Sequence, residues 1–140
     1  MVKIRKVDTS IERNRALLHW LQLEILPADT PEDTETGHWW VAYDNGNPIG
    51  FCGMRRSSRW SDTVYLCRAG VVYKAQGKGL QKRLIRVRER QAKRMKMNWL
   101  ITDTFYNPAS ANSLIACGFK MFIPSKPWAY KDTCYWRKRL

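Results

Sequence analysis

Long apolar runs and acidic residues are both scarce in this sequence. No apolar stretch of the 140 residues approaches the roughly 20 that a membrane span needs. Residues 1–6 lack the apolar block of a signal peptide. We therefore expect a cytoplasmic protein without a membrane segment. The length indicates one domain, residues 1–140, with a core of its own.

The cysteines follow no pattern that binds metal or builds a disulfide framework. Cys52, Cys67, Cys117 and Cys134 lie far apart, mostly among apolar neighbours, and no C-x-x-C pair occurs. This spacing argues against a metal site and against disulfide bonds. We expect reduced, mostly buried thiols and no metal cofactor.

The shortage of acidic residues is confined to one part of the chain. The formal net charge is +13, yet residues 1–44 hold eight acidic and five basic side chains, and residues 45–140 hold four acidic and twenty basic ones. Such a basic part suits nucleic acid, an anionic surface or a polyphosphate ligand, and charge alone does not choose among them.

Turn and cap signals predict the elements of the first half. Residues 2–7 indicate an edge strand, and residues 8–10 offer N-cap side chains to a helix that Pro27 ends near Leu26. An Asn-Gly pair between the apolar runs 38–43 and 48–54 predicts a hairpin. Trp39, Trp40 and Trp60 either line a substrate cleft or pack in the sheet and core, and packing is the simpler interpretation.

Gln76 to Gln81, here called the glycine turn, separates an apolar strand from a very basic helix. The strand is predicted over residues 64–73 with an irregularity at Gly70, and the helix from Gly79 to about residue 96. Gly77 and Gly79 let the backbone turn tightly and approach a ligand. The first N–H groups of the helix lack partners within it, and the helix dipole adds positive charge there. Such a turn is typical of a phosphate site, although a turn needing glycine for geometry alone would look the same.

Further along, Asn107 begins a short helical segment that ends at Gly118-Phe119. The order of strand, Gln-x-x-Gly turn, basic helix, strand, Asn, short helix and Gly-Phe resembles the GNAT superfamily of N-acetyltransferases over residues 62–123. Gln76 and Gly79 match the family's (Gln or Arg)-x-x-Gly-x-(Gly or Ala) pattern, and Gln81 departs from its last position. The resemblance implies an α/β fold. Its sheet is mixed, mainly antiparallel, of six or seven strands and splayed at the central strand after Gly70, with helices on both faces.

The resemblance also implies acetyl-CoA as co-substrate. Backbone N–H groups of residues 77–82 would hold its diphosphate, and residues 69–71 would pair with its pantetheine arm. Asn107 would contact the cofactor near the end of the next strand. The implied cofactor-binding residues are Ala69, Gly70, Val71, Gln76, Gly77, Lys78, Gly79, Leu80, Gln81, Lys82, Asn107, Ser110 and Asn112.

The implied reaction is acetyl transfer from acetyl-CoA to a primary amine, which needs a proton acceptor for the ammonium. The chain departs from well-known members here, because their strand glutamate positions fall at Tyr65 and Thr102 and their acid tyrosine at Leu114. The candidate catalytic residues are therefore Tyr65, Asp103 and Tyr106. Strand alternation points Asp103 away from Thr102. Positioning alone, with solvent taking the proton, is the alternative.

Other interpretations stay open. A small basic protein could bind nucleic acid through stacked Trp and Tyr side chains, and a GNAT-like domain without acid or base could bind CoA without catalysis. The acidic segment 27–37 is either a solvated loop or, by the resemblance, the border of an acceptor site. The sequence leaves the acceptor open, and also whether the protein is a monomer or a homodimer.

Overall fold

The computed structural model describes all of residues 1–140 and builds one seven-stranded sheet. The strands lie in the order β1-β2-β3-β4-β5-β7-β6, and only β4 and β5 pair in parallel. This confirms the predicted mixed, mainly antiparallel sheet. The elements are β1 Val2–Val7, α1 Glu12–Ile25, β2 His38–Asp44, β3 Asn47–Arg56, β4 Thr63–Val71, a 3₁₀ turn Tyr73–Ala75, α2 Leu80–Arg94, β5 Trp99–Thr104, α3 Pro108–Ala116, β6 Lys120–Phe122 and β7 Cys134–Arg139.

The β2–β3 hairpin turns at the predicted Asn-Gly pair. Asn45 and Gly46 have φ of +49° and +85°, the left-handed conformations that a tight two-residue hairpin needs. The start of α1 differs from the prediction, because Asp8 accepts hydrogen bonds from Ser10 and Ile11 takes the N-cap position without a side-chain bond.

Helices cover both faces of the sheet, as predicted. On the face called the α1 face, Leu18 and Leu21 of α1 pack against Trp39, Val41 and Phe51. On the opposite face, the α2 face, α2 and α3 cover a larger cluster of 17 buried residues. The alternation of strand side chains explains the division, since neighbouring residues of one strand point to opposite faces. None of the helices combines the length and apolar character needed to cross a membrane.

The parallel strands β4 and β5 separate early. They pair only over Thr63–Tyr65, and beyond that point β4 stays with β3 while β5 stays with β7. The separation begins at a bulge, where two residues of β4, Leu66 and Cys67, face the single residue Met54 of β3.

The predicted position of the splay, after Gly70, is therefore wrong, because the pairing of β4 with β5 already ends at Tyr65. Gly70 pairs regularly with Phe51 of β3. Its glycine is required for another reason, because a Cβ there would lie 2.5 Å from Ile25 Cγ2 of α1. Gly70 thus marks a close approach of helix and sheet, whereas the bulge arises from the pairing of β3 and β4.

Candidate functional site

A cleft opens where β4 and β5 separate. It has a volume of about 400 Å³ and receives side chains from both faces of the sheet. Thr102 closes its inner end by donating a hydrogen bond of 2.8 Å from Oγ1 to the Leu66 carbonyl. Its lining includes Asp29, Glu32, Tyr65, Leu66, Cys67, Arg68, Ala69, Gln81, Ile85, Arg88, Thr102, Asp103, Phe105, Asn107 and Ser110.

The glycine turn connects the end of β4 to α2. Gly77 and Gly79 have φ of +76° and +81°, and a Cβ on either would meet no atom within 4 Å. Both glycines are therefore required by backbone conformation, and the space beside them is open. Gln76 donates from Nε2 to the Val71 carbonyl at 3.1 Å, so its side chain holds the turn against the strand.

The turn presents a row of free hydrogen-bond donors. The first helical bond of α2 runs from Arg83 N to the Gly79 carbonyl at 3.2 Å, and none of the backbone N–H groups of residues 77–82 donates to an acceptor of the chain. The helix dipole places partial positive charge at the same end. The exposed side chains of Lys78 and Lys82 add full charges. The arrangement fits an anion such as a phosphate.

The remaining predicted cofactor-binding residues fall into two groups. Ala69, Gln81, Asn107 and Ser110 line the cleft. The others do not: Gly70 and Val71 are buried in the β3–β4 ladder, Leu80 lies in the core with 5% exposure, and Asn112 is exposed on α3. Asn107 caps α3, because its Oδ1 accepts a hydrogen bond from Ser110 N at 3.1 Å.

Asp103 is held by two donors inside the cleft. The Tyr65 hydroxyl donates to Asp103 Oδ2 at 2.7 Å, and Trp128 Nε1 donates to the same oxygen at 2.9 Å. No side chain of the protein donates to Oδ1. Burial, and next the charge of Asp103, strongly raise the pKa of the Tyr65 phenol. Tyr65 therefore stays protonated and acts as a hydrogen-bond donor.

Tyr106, the third candidate, lies outside the cleft lining. It is 77% exposed, its φ is +46°, and its hydroxyl is 3.4 Å from Asp132 Oδ2. Its ring packs against Phe105 at 4.5 Å between centroids, and Phe105 itself lines the cleft.

The acidic segment 27–37 borders the cleft rather than lying apart from it. Asp29 Oδ2 is 3.1 Å from Arg68 Nη1, and Glu32 Oε2 is 3.0 Å from Arg55 Nη1. Gln22 of α1 fixes the segment by exchanging two hydrogen bonds with the Glu32 backbone, at 3.1 and 2.8 Å. Asp29 and Glu32 thus reach the cleft from the α1 face.

Two residues that shape the candidate site, Trp128 and Arg88, were not predicted from the sequence. Trp128 belongs to a loop without periodicity, so nothing marked its bond to Asp103. Arg88 left a signal, because it interrupts an apolar stripe of α2 at four-residue spacing, Leu80, Leu84 and Ala92. Of the three tryptophans considered for the cleft, Trp39 and Trp40 are buried at 1% and 5% exposure, and Trp60 is 42% exposed; none lines the cleft.

A mixed sheet that separates behind a glycine turn is the architecture of acetyltransferases, and the comparisons agree. The family model described as the acetyltransferase (GNAT) family matches residues 7–119. This chain belongs to the GNAT family. No group of three or more His, Cys, Asp or Glu side chains is arranged to hold a metal ion.

Solved structures share the whole fold at low sequence identity. An IAA acetyltransferase from Bacillus cereus is 21% identical, with all of both chains covered and a TM-score of 0.75. The ribosomal-protein-S18-alanine N-acetyltransferase from Escherichia coli is 13% identical, with 99% of this chain and 94% of that chain covered and a TM-score of 0.76. A Bacillus subtilis acetyltransferase in complex with CoA is 16% identical, with 100% and 99% covered and a TM-score of 0.77. A comparison with curated proteins gives no match.

Proposed function

We propose that this protein transfers an acetyl group from acetyl-CoA to a primary amine. The observation that carries the proposal is the row of free backbone N–H groups at residues 77–82, of which Gln81 also lines the cleft between β4 and β5. A diphosphate is the anion that such a row accommodates. A solved structure of similar fold, the Bacillus subtilis acetyltransferase, was obtained in complex with CoA.

The free edge of β4 fits the rest of the co-substrate. Beyond Tyr65 the strand pairs with β3 on one side only, and on the other side Thr102 bonds the Leu66 carbonyl. The backbone of residues 67–69 lines the cleft on that side and is available to an amide-bearing chain, which can add to the sheet as an extra strand does. Such a chain would run from the glycine turn toward the bulge at Leu66 and Cys67.

The reaction needs an amine with a free lone pair. The amine nitrogen attacks the carbonyl carbon of the thioester, the carbon–sulfur bond breaks, and CoA leaves as the thiolate with the electron pair. One proton leaves the amine and one returns to the sulfur, so the reaction needs no oxidant or reductant. The protein must orient the two reactants and provide a route for the proton.

We assign the proton acceptor role to Asp103. Its Oδ1 is free while Oδ2 is fixed by Tyr65 and Trp128, so the carboxylate is oriented without losing its second oxygen. Tyr65 is then a positioning residue. Asp29 and Glu32 also line this side of the cleft, where they pair with Arg68 and Arg55. The three carboxylates still outnumber the two guanidinium groups, which favours a cationic amine as the acceptor.

The nucleic-acid alternative has less structural support. It relies on exposed aromatic side chains along a basic surface. Tyr73, Tyr106 and Tyr130 are exposed, but Trp39 and Trp40 lie in the core. It also gives no role to the carboxylates at the cleft.

Calorimetric titration with acetyl-CoA and a thiol-release assay over a panel of amines test the proposal. We expect binding heat, and release of CoA thiol only when an amine is present. An Asp103→Asn variant should keep acetyl-CoA affinity and lose about a hundredfold or more in turnover. Binding without turnover on any amine would favour a non-catalytic CoA-binding domain. Absence of binding, together with salt-dependent binding of DNA or RNA, would refute the proposal.

A further inference from the structure

Arg88 is a buried cation that no carboxylate of the chain neutralises. Its side chain belongs to α2, it is 4% exposed, and it lines the cleft. Glu89 is the only other charged residue in the buried set, and it pairs with Lys138. None of the ion pairs of the protein includes Arg88. A buried charge without a counter-ion is costly, so buried cations in proteins are normally paired.

The hydrogen bonds of Arg88 leave one nitrogen free. Nε donates to the Leu84 carbonyl at 3.0 Å and Nη1 to the Gly53 carbonyl at 3.3 Å, and both acceptors are neutral. Nη2 has no acceptor in the chain, and it is not among the fully buried atoms without a partner. Nη2 is therefore the part of the guanidinium that can reach the cleft.

The position of Arg88 along the cleft follows from its neighbours. Gly53, whose carbonyl it contacts, pairs with Arg68 and directly precedes the bulge of the β3–β4 ladder. Gln81, Ile85 and Arg88 line the cleft from one side of α2, since residues four and three apart share a helix face. Arg88 lies nine residues after Gly79, about 13 Å along the helix axis. The guanidinium thus lies near the point where β4 and β5 part, well away from the glycine turn.

The two sides of the cleft differ in their uncompensated charge. On the α2 side Arg88 has no counter-ion, and on the α1 side Arg68 and Arg55 pair with Asp29 and Glu32, which leaves Asp103 without a cationic partner. Leu66 and Ala69 pack with the α2-face cluster, as Ile85 does, whereas Cys67 packs with the α1-face cluster. Asp29 and Glu32 enter from the α1 side, where Tyr65 meets Asp103. An anion is therefore favoured beside Arg88 and disfavoured beside the carboxylates.

We propose that Arg88 recognises a carboxylate at the far end of the transferred acyl group, so that the preferred donor is a CoA ester of a dicarboxylic acid. The inference rests on the proposed acyl transfer and assigns its donor. The chemistry is unchanged, because the distal carboxylate takes no part: the amine nitrogen bonds to the thioester carbon, and the thiolate leaves. The acceptor's own carboxylate is the less favoured ligand, since Asp103 on the acceptor side has no cationic partner and would repel it.

Matched pairs of CoA esters test the inference directly. Succinyl-CoA and butyryl-CoA share chain length and differ in the terminal carboxylate, as do malonyl-CoA and propionyl-CoA. We expect calorimetry on the wild-type protein to show at least about tenfold tighter binding of the carboxylated member of one pair, the size of effect typical of hydrogen bonds to charged groups. Values of kcat/KM with an amine that the protein accepts should show the same preference.

Variants then separate Arg88 from general basicity. Arg88→Met should abolish the preference for the carboxylated member of each ester pair, and Arg88→Lys should retain part of that preference. Arg86→Met is the matched control, because Arg86 is exposed two residues away on the same helix, and it should leave the preference intact. If Arg88→Met does not fold, Arg88→Lys and the comparison of the ester pairs on the wild-type protein still test the role of Arg88.

Equal affinity within both ester pairs in the wild-type protein would overturn the inference, as would an unchanged preference in Arg88→Met. A third result would also overturn the inference: if Arg88→Met lost affinity for amino acids relative to their decarboxylated amines and kept the ester preference, Arg88 would bind the carboxylate of the acceptor. The proposed function fails separately, by absence of binding and turnover with every CoA ester. Turnover of acetyl-CoA without a carboxylate preference would refute only the role of Arg88.

Discussion

Substituting Gly79 separates the two reasons for which a glycine could stand in the glycine turn. Gly79 has φ +81° and an open Cβ position, so alanine there meets no clash and costs only the left-handed backbone, about 1–2 kcal/mol of folding stability. Gly46 in the β2–β3 hairpin is a matched control, since its φ is +85° and its Cβ position is equally open. Alanine or aspartate should therefore destabilise the protein by similar amounts at both positions.

Co-substrate binding should respond at one position only. An aspartate at 79 places a carboxylate beside the donors of residues 77–82. If a diphosphate oxygen lies about 5 Å away, the repulsion between two unit charges is about 1 kcal/mol in water and about 3 kcal/mol at an effective dielectric constant near 20. The dissociation constant for acetyl-CoA should rise roughly 5- to 150-fold from Gly79→Ala to Gly79→Asp. The rise should shrink at high salt.

Thermal unfolding and calorimetric titration of all four variants provide the assay. We expect paired melting temperatures for positions 46 and 79, and a loss of acetyl-CoA affinity only for Gly79→Asp. If Gly79→Asp bound acetyl-CoA as Gly79→Ala does, the free donors would not be the diphosphate site. If Gly46→Asp lost affinity equally, the effect would be one of stability or overall charge.

Two further predictions follow from the ionisation of cleft residues. Burial and Asp103 raise the pKa of Tyr65, so its phenol stays neutral through the alkaline range. Tyr65→Phe should therefore lower kcat without removing any basic limb of the pH–rate profile. If such a limb disappeared in Tyr65→Phe, Tyr65 would be the group that titrates. Burial, and next Glu32, raise the pKa of the Cys67 thiol to about 12. At pH 8 its thiolate fraction is then roughly a thousandfold lower than that of an ordinary thiol. Mass spectrometry should therefore show that iodoacetamide alkylates Cys67 far more slowly in the native protein than in urea. Equal rates in the two conditions would contradict the burial of that thiol.

The parts of the fold that were predictable depend on local signals. Residues adjacent in sequence are enough to predict the Asn45-Gly46 turn, the glycine turn and the helix after it. The bulge at Leu66 and Cys67 could not be located this way, because it depends on how β3 and β4 pair. Gly70 was misread for the same reason, since its glycine is explained by Ile25 of a helix about 45 residues earlier.

The candidate site likewise combines features predictable from adjacent residues with features that depend on distant parts of the chain. The donors of residues 77–82 were expected, because a glycine turn before a helix exposes them whatever the rest of the chain does. The carboxylate of Asp103 is oriented by Tyr65 and Trp128, which are 38 and 25 residues away in sequence, and only the assembled sheet brings these three side chains together. Arg88 occupies a position of α2 where the pattern predicts an apolar residue, and its proposed role depends on the cleft that its side chain lines.

The uneven charge of the chain acquires a structural explanation in this cleft. The acidic first part supplies Asp29 and Glu32 from the α1 side, and the basic second part supplies α2 with its free donors and Arg88 from the other. Because β4 and β5 separate, both sets of side chains reach the same space through the sheet. Asp29 and Glu32 pair with Arg68 and Arg55, whereas Asp103 has no cationic partner and would repel a ligand that is only a polyanion. The proposed transfer, from an anionic donor to an amine that arrives as a cation, would use both signs, each on its own side of the reacting carbon.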